Sequence, residues 1–280
     1  MILSVYGSSG FVGSRYCKFN PVKRVERNAL VSETNDILYL ISTVHNYNVY
    51  SNPYLDIDTN LTHLIQVLEA NKAKFGNDFT INFASSWFVY NKTENLPAVE
   101  TDLCNPTGFY SITKYAAEKL LTSYCQTFGI KYRILRFANV LGVGDKGVSE
   151  KKNATTYFIR KIVNGEPIAI YDPPSKRDFI HVDDLCQAIN RITKLGEINS
   201  IYNVGNGIPY VVRELWEYVM DKVNYDRSKI SYKVSEFHKI VQGLDMWLDT
   251  QKLLSLGYKR QWGMNETIDQ LIEEANVQNK

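Results

Sequence analysis

A glycine-rich turn directly after the first apolar segment constrains the fold of this chain more than any other feature. Residues 1–6 form an apolar run of strand length, and Gly7-Ser8-Ser9-Gly10-Phe11-Val12-Gly13 separates it from a short helix predicted over 14–19. In such a unit the first glycine permits the tight turn, the second lets backbone approach a pyrophosphate, and the third lets the helix pack closely on the strand. Backbone N–H groups at the helix N-terminus then hold the phosphates. An ordinary strand-to-helix turn is the alternative, but three glycines at this spacing favour a dinucleotide site.

Apolar segments of strand length alternate with helical segments through the first half of the chain. The predicted strands cover residues 22–26, 37–41, 79–84 and 132–137, and the predicted helices cover 58–72 and 107–126. Strands separated by helices imply a parallel sheet with helices on both faces. The pattern therefore predicts an α/β fold with a Rossmann-type, doubly wound parallel sheet.

After Asn139 strand and helix segments no longer alternate regularly, and strand-like segments return at 168–170 and 179–182. We expect residues 1–140, together with about 178–206, to form the dinucleotide-binding domain. About 141–177 and 207–280 are expected to form a smaller, discontinuous C-terminal region that binds the substrate.

The charge balance excludes two classes of partner. The chain has 280 residues with 32 Lys+Arg and 30 Asp+Glu, a formal charge of +2. A protein that binds nucleic acid or a membrane surface through basic residues would normally carry a clear cationic excess. The N-terminus lacks the basic and apolar regions of a signal peptide, and no run of 18 apolar residues occurs. We therefore expect a soluble, cytoplasmic protein.

Cysteine and histidine spacing gives no support for a metal site. The four cysteines form no CxxC pair, so they are interpreted as small core residues of a protein in a reducing compartment. The four histidines form no HxxxH pair and none adjoins a cysteine. These residues are Cys17, Cys104, Cys125, Cys186, His45, His63, His181 and His238.

Three polar residues on successive elements point to proton-transfer chemistry. Tyr110 and Lys114 are four apart on a predicted helix, so both can face one pocket. A phenol of pKa near 10 is a poor base at neutral pH, but a nearby cation favours its ionised form. Ser86 ends a predicted strand, where a doubly wound sheet lines its ligand crevice. Taken singly, Tyr110 is better explained as a core tyrosine and Ser86 as a hydrogen-bonded strand end, but together behind the glycine turn they indicate catalysis.

With these motifs in order, the chain resembles an extended short-chain dehydrogenase/reductase of the NAD-dependent epimerase/dehydratase type, which acts on nucleotide sugars. The resemblance covers nearly the whole chain. Besides the glycine turn, Ser85-Ser86 and Tyr110 with Lys114, it rests on Asp58-Thr59-Asn60-Leu61, Arg136-Phe137-Ala138-Asn139-Val140-Leu141-Gly142, Arg177-Asp178-Phe179-Ile180-His181-Val182-Asp183-Asp184 and Tyr202-Asn203-Val204-Gly205-Asn206-Gly207.

The resemblance implies a role for each matching residue. Tyr110 exchanges the sugar hydroxyl proton, Ser86 hydrogen-bonds the same oxygen, and Lys114 holds the nicotinamide ribose and lowers the tyrosine pKa. Asn139 and Arg177 match residues that contact the substrate diphosphate, and Arg suits it as a bidentate donor. The expected cofactor contacts are Gly7, Ser9, Gly10, Phe11, Val12, Gly13, Arg27, Tyr110, Lys114 and Val140. The resemblance also implies a homodimer built on the helices at 58–72 and 107–126.

The segment after the second strand departs from the family pattern. Residues 28–37 are too few for the usual extra helix and strand, so the adenine side of the cofactor site is expected to be reduced. An acidic residue that would bind the adenosine ribose is missing at the strand end, where Arg24 and Arg27 favour NADP slightly. The acidic residue Glu26 lies in the same segment, so NAD remains an alternative cofactor.

The residues after Ser86 limit which of the family's reactions is expected. A dehydratase of this family usually carries an acidic pair there, and this chain has Trp87-Phe88, so dehydration is disfavoured. A nucleotide-sugar epimerase needs no further acid or base and is the predicted function. A nucleotide-sugar 4-ketoreductase that consumes NADPH is the alternative, and a non-catalytic dinucleotide-binding protein is a weaker one.

Two further clusters are interpreted as structural. Trp87, Phe88 and Tyr90 are expected to form core and pocket wall. Asp178, His181 and Asp184 are expected to belong to a salt-bridge network.

Overall fold

The structure is a computed structural model that describes residues 2–91, 93, 95–172, 174–234 and 245–278. His238, part of the predicted C-terminal region and the first residue of the predicted first strand lie outside the described residues. The strands are β1 (Leu3–Tyr6), β2 (Val22–Arg24), β3 (Asp36–Tyr39), β4 (Thr80–Ser86), β5 (Lys131–Phe137), β6 (Asn139–Leu141), β7 (Ile168–Asp172), β8 (Lys176–Arg177), β9 (Phe179–His181), β10 (Ser200–Val204), β11 (Tyr210–Val211) and β12 (Ile230–Val234). The helices are α1 (Phe11–Phe19), α2 (Tyr54–Ile57), α3 (His63–Phe75), α4 (Phe109–Phe128), α5 (Ala154–Val163), α6 (Val182–Leu195), α7 (Val212–Val223), α8 (Gln251–Leu254) and α9 (Met264–Gln278).

Six strands form one parallel sheet in the order β2-β1-β3-β4-β5-β10. Its central strands carry buried side chains on both faces, which is why they appear in the sequence as apolar runs. One face packs on α1 and α6 and the other on α3 and α4, each through its own hydrophobic cluster. The predicted doubly wound α/β fold is confirmed.

The connection between β2 and β3 contains no strand or helix, and β2 is the edge of the sheet. Polar side chains hold this short connection against the sheet. The Ser4 hydroxyl accepts from the N–H groups of Glu33 and Thr34 at 3.1 and 2.9 Å, and Asn71 of α3 accepts from the Ser32 N–H at 3.0 Å. The sheet therefore lacks the extra strand on this side, as the short sequence predicted.

The helix predicted over 58–72 is interrupted. The chain forms α2, a π-helical turn at Asp58–Thr62 and then α3. Buried Asn60 in that turn bonds across to Thr43 and Thr113, and single π turns often mark functional sites.

A third hydrophobic cluster joins α5, α7 and α9 with parts of β6, β7 and β9. The strands of this part form two-stranded pairs: β7 with β12, β6 with β9, and β8 with β11. The proposed division into a dinucleotide-binding domain and a discontinuous substrate-binding region stays a prediction.

The expected salt-bridge network is wrong for Asp178 and Asp184, because both carboxylates bind backbone amides instead. Asp178 accepts from the N–H groups of Asn206 and Gly207 at 2.9 and 3.0 Å. Asp184 accepts from those of Gln261 and Trp262.

The remaining member, His181, has Asp183 within 3.8 Å and stacks on the Trp262 ring at 4.3 Å. Asp183 also pairs with Arg15 of α1, which ties α6 to the helix that follows the glycine turn.

Among the described residues, no helix is long and apolar enough to span a bilayer. Within the same part of the chain, no group of three or more His, Cys, Asp or Glu side chains could hold a metal ion. All four cysteines are free thiols; Cys125 and Cys186 are buried, and Cys17 and Cys104 are partly buried.

Candidate active site

A cavity of about 680 Å³ opens at the carboxyl ends of the parallel strands, the edge at which doubly wound sheets bind ligands. Eleven predicted site residues line it: Gly7, Gly10, Phe11, Val12, Gly13, Ser86, Tyr110, Lys114, Asn139, Val140 and Arg177. The cavity lining does not include Ser9 and Arg27, which are both exposed. The fold therefore brings all of the predicted cofactor and substrate residues except Ser9 and Arg27 into one cavity.

The glycine turn is closed too tightly for a side chain at its third glycine. A Cβ on Gly13 would lie 2.1 Å from the Gly7 carbonyl oxygen, and Gly7 itself has φ of +75°. The Gly7 carbonyl accepts from the Gly10 N–H at 3.0 Å, which fixes the turn. No side chain caps the N-terminus of α1, and its first turn contains no acidic residue. The turn thus presents backbone donors and a positive helix end, which fit the pyrophosphate of a dinucleotide.

Tyr110 lies in the first turn of α4 and is 6% exposed. Burial raises the pKa of its phenol to about 12, against the opposing effect of hydrogen bonds from Ser86 and Ser42. Asp56 contributes a smaller rise in the same pKa. The effect of burial outweighs that of the two hydroxyls, so the pKa of the phenol is raised overall.

Lys114 lies one turn after Tyr110 and lines the same cavity. Its ammonium donates to the Ala84 carbonyl at 2.8 Å and lies 4.1 Å from the centre of the Phe83 ring. Burial lowers the Lys114 pKa to about 7, although Glu118 acts to raise it. Lys114 is not among the groups that act on the Tyr110 pKa in this structure, and the lowering expected from it stays a prediction.

Ser86 is the last residue of β4, and its hydroxyl accepts from the Phe88 N–H at 3.3 Å. The following aromatic rings form one wall of the cavity, as expected. Trp87 and Phe88 stack with centres 4.0 Å apart, and Phe88 meets the Tyr110 ring edge to face at 6.0 Å. Tyr90 is buried and donates to Asn203 at 2.7 Å, so it belongs to the core.

The two predicted diphosphate contacts lie beside this aromatic wall. The Asn139 amide accepts from Trp87 Nε1 at 3.3 Å and donates to the Asp178 carbonyl at 2.9 Å. Arg177 places its guanidinium 5.3 Å from the Trp87 ring. Burial lowers the Arg177 pKa to about 10, against the opposing effect of Asp245. Even so, the guanidinium remains a cation at neutral pH, which suits an anionic ligand.

Several residues that line the cavity were not predicted as site residues from the sequence. The loop after β3 contributes Ser42, Thr43 and His45, and the loop before α5 contributes Lys151 and Lys152. The rule that identified Ser86, a hydroxyl at the carboxyl end of a central strand, applies equally to Ser42 and Thr43. The two lysines belong to a loop whose position no local pattern reveals.

The model of the NAD dependent epimerase/dehydratase family matches residues 23–205 of this chain. The match includes Ser86, Tyr110, Lys114, Asn139 and Arg177 but begins after the glycine turn. The turn is therefore an additional feature that agrees with the family.

Relatives of known name include both epimerases and reductases. The chain is 27% identical over 244 residues to a candidate UDP-glucose 4-epimerase of Methanocaldococcus jannaschii, covering 87% of this chain and 78% of that protein. It is 28% identical over 189 residues to the GDP-6-deoxy-D-mannose reductase of Pseudomonas aeruginosa, covering 66% of this chain and 62% of that protein.

Among solved structures, the UDP-glucose 4-epimerase of Thermotoga maritima with UDP-glucose superposes with a TM-score of 0.84 at 22% identity, covering 100% of both chains. RMD from Pseudomonas aeruginosa with NADPH gives a TM-score of 0.86 at 22% identity, covering 99% of both chains. At this identity the likeness establishes the fold.

Proposed function

Because the chain belongs to the NAD dependent epimerase/dehydratase family, we propose that it is an NAD(P)-dependent nucleotide-sugar epimerase. The observation that carries the proposal is the convergence of Ser86, Tyr110 and Lys114 on one cavity that also reaches the glycine turn. A phenol, a hydroxyl and a buried amine beside a pyrophosphate-binding turn suit proton transfer coupled to hydride transfer.

Each residue is assigned the step that its position supports. Gly7, Gly10 and Gly13 would hold the dinucleotide pyrophosphate, and Lys114 would hold the nicotinamide ribose. A bound nicotinamide supplies the hydride chemistry at the sugar carbon. Tyr110 takes the proton of the sugar hydroxyl and returns it, while the Ser86 hydroxyl orients the same oxygen.

The diphosphate of the substrate is assigned to Arg177 and Asn139. The Arg177 guanidinium is nearly buried, so its charge is poorly screened by water and attracts a diphosphate strongly. Asn139 lies beside it on β6, and Trp87 contacts both side chains.

The two residues that follow Ser86 in the cavity wall favour epimerisation over dehydration. Trp87 and Phe88 have no group that exchanges a proton with the sugar, so elimination of water has no acid/base pair at these positions. Epimerisation requires none, because the hydride returns to the other face of the sugar.

A 4-ketoreductase is the second candidate, because it needs the same residues and the relatives include reductases. Purified protein incubated with NADPH and a 4-keto-sugar nucleotide distinguishes the two. The epimerase proposal predicts no multiple-turnover oxidation of NADPH in this mixture, and interconversion of the two 4-hydroxy epimers when the protein is given a nucleotide sugar with the oxidised cofactor. Stoichiometric oxidation of NADPH would contradict it.

The cofactor preference is proposed to tilt towards NADP through Arg24 and Arg27. Both side chains are exposed at the end of edge strand β2, so they are accessible to the 2′-phosphate of NADP. We expect Arg27→Glu to weaken NADP binding more than NAD binding, as measured by fluorescence titration. Equal effects on both cofactors would contradict this assignment.

A homodimer through α3 and α4 is proposed from the family resemblance. In support, α4 exposes Ile112, Leu120 and Phe128, each at least 42% exposed. Sedimentation equilibrium should give twice the mass of the chain, and a monomer would contradict the proposal.

A further inference from the structure

The N-terminus of the helix that carries Tyr110 is capped by a side chain from another part of the chain. The N-cap residue of α4 is Gly108, which has no side chain to cap it, and the first turn of α4 contains no acidic residue. Asn46, in the loop after β3, supplies an acceptor: its Oδ1 accepts from the Ser111 N–H at 3.0 Å. The cap therefore comes from a residue 65 positions before the one it binds.

We propose that Asn46 is a positioning residue, which fixes the first turn of α4 so that Tyr110 is held at the wall of the cavity. The inference rests on the proposed function, because it assigns Asn46 a part in aligning the acid/base of that reaction. Asn46 acts through the backbone of α4 and is not assigned a contact with substrate or cofactor.

The Asn46 amide lies so close to Gly108 that a larger residue would displace it. A Cβ on Gly108 would be 2.3 Å from Asn46 Cγ and Oδ1 and 2.5 Å from Nδ2. The backbone of Gly108 is extended, with φ of −83° and ψ of 149°, a conformation that any residue adopts. The glycine is therefore required by the Asn46 side chain and not by the backbone conformation.

Both partners of this hydrogen bond are buried. Asn46 is 3% exposed and Ser111 is 2% exposed. A buried backbone N–H that loses its acceptor costs free energy, because water does not replace the bond. Shortening Asn46 therefore favours a shift of the first turn that brings the Ser111 N–H to another acceptor. Tyr110 directly precedes Ser111, so the phenol moves with this turn.

The segment that contains Asn46 also forms part of the cavity wall. His45 and Tyr47, on either side of Asn46, line the cavity. The Tyr47 N–H donates to His45 Nδ1 at 3.2 Å, which fixes the backbone around Asn46. Asn48 donates to buried Asp56 at 3.0 Å and anchors the same segment. Asn46 therefore links an anchored wall of the cavity to the helix that carries the phenol.

Other hydrogen bonds keep α4 intact when Asn46 is shortened. The Ser111 hydroxyl donates to the Gly108 carbonyl at 2.8 Å, and the Thr113 hydroxyl donates to the Tyr110 carbonyl at 2.9 Å. Asn60, in the π-helical turn, donates to the Thr113 hydroxyl at 3.0 Å. We therefore expect a displaced first turn and not the loss of the helix.

A set of variants of the full-length protein separates positioning from helix stability. Asn46→Ala removes the acceptor, and Asn46→Asp retains one. In the double variant Asn46→Ala/Gly108→Ser, the three atoms nearest to a Cβ at position 108 are absent, and serine at the N-cap gives the helix a cap of its own. Asn190→Ala is the matched control, because it removes the acceptor of the buried Tyr16 hydroxyl at 2.6 Å, outside the cavity.

The position of Tyr110 is measured by NMR on protein labelled with ¹³C at the tyrosine Cε atoms, without any sugar substrate. The Phe88 ring meets the Tyr110 ring edge to face at 6.0 Å, so its ring current makes the Tyr110 shift sensitive to displacement. The Tyr110 signal is the one absent from Tyr110→Phe. We expect it to move in Asn46→Ala and in the double variant, and to stay near wild type in Asn46→Asp and Asn190→Ala.

Urea unfolding measures the contribution of the cap to stability. The midpoint should fall in Asn46→Ala and in Asn190→Ala, and return towards wild type in the double variant. A Tyr110 signal in Asn46→Ala that coincides with wild type would overturn the proposal. So would a double variant that restores both the urea midpoint and the Tyr110 signal, because Asn46 would then act only through helix stability. Neither measurement uses a sugar, so the outcome is independent of the proposed function.

Turnover supplies a further readout. A displacement of a reacting group by about 1 Å can cost about a hundredfold in rate, so Asn46→Ala should lower kcat by about ten- to a hundredfold. KM should change little, because the residues assigned to the substrate diphosphate are unaltered. Asn46→Asp should retain most of the wild-type kcat. A wild-type kcat in Asn46→Ala would contradict the positioning role, as would an equal loss of kcat in Asn190→Ala.

Discussion

Replacing Gly13 with alanine tests the geometry of the glycine turn, because two physical effects predict opposite signs for the change in folding stability. Gly13 is the third residue of α1, and alanine within a helix is normally more stable than glycine by about 0.5–1 kcal/mol. The new Cβ, however, would lie 2.1 Å from the Gly7 carbonyl oxygen and 2.9 Å from its carbon. Both neighbours are backbone atoms, so the turn itself must shift.

The steric effect should prevail. Forcing an extra methyl group into a packed site costs about 1–3 kcal/mol, which exceeds the gain in helix propensity. Moving the Gly7 carbonyl also weakens its hydrogen bond from the Gly10 N–H. We therefore expect Gly13→Ala to unfold at lower urea concentration than wild type, and to bind NAD or NADP at least about tenfold more weakly, since 1.4 kcal/mol corresponds to a factor of ten.

Gly10→Ala is the matched control. Its Cβ would meet the Gly7 oxygen at 3.4 Å, an ordinary contact, and its φ of −71° suits alanine. The urea midpoint should stay at the wild-type value, while dinucleotide affinity falls because the methyl group stands where the pyrophosphate approaches. A Gly13→Ala variant as stable as wild type, or more stable, would refute the steric argument.

Two other buried groups give stability predictions. Lys114→Met should be more stable than wild type at pH 7, because burial lowers the lysine pKa from 10.5 to about 7 and the unfolded chain binds more protons between these values. The rise in wild-type stability over that pH range should disappear, and a destabilised variant would contradict this account. Glu118→Gln should cost about 3–5 kcal/mol in urea unfolding, because it leaves Arg136 buried without its carboxylate partner at 2.7 Å. The matched change at exposed Glu69 should have little effect, and equal losses would count against the burial argument.

The features that the sequence predicted correctly depend on spacing along the chain. The glycine turn and the Tyr110–Lys114 pair are local patterns, and the strand-end rule placed Ser86 beside them. Because parallel strands end at one edge of the sheet, these separate motifs meet in one cavity. The short connection between β2 and β3 was also predictable, because the number of residues between these strands is too small for another strand and helix.

Contacts between distant residues could not be predicted in this way. The Lys114 ammonium bonds a carbonyl 30 residues earlier, so its direction depends on how α4 packs against β4. Asp178 and Asp184 have basic residues nearby in sequence but bind backbone amides, which charge patterns do not reveal. The hydrogen bond between Ser42 and Asn60 depends on the π-helical turn that carries Asn60.

The most direct test of the proposed function compares Tyr110→Phe with wild type in sugar-nucleotide turnover and dinucleotide affinity. General acid–base catalysis contributes about 10²–10⁴-fold, so the variant should lose turnover by that factor. Its dinucleotide affinity should stay close to wild type, because the glycine turn is intact. Unchanged turnover would contradict the assignment of Tyr110 as the acid/base.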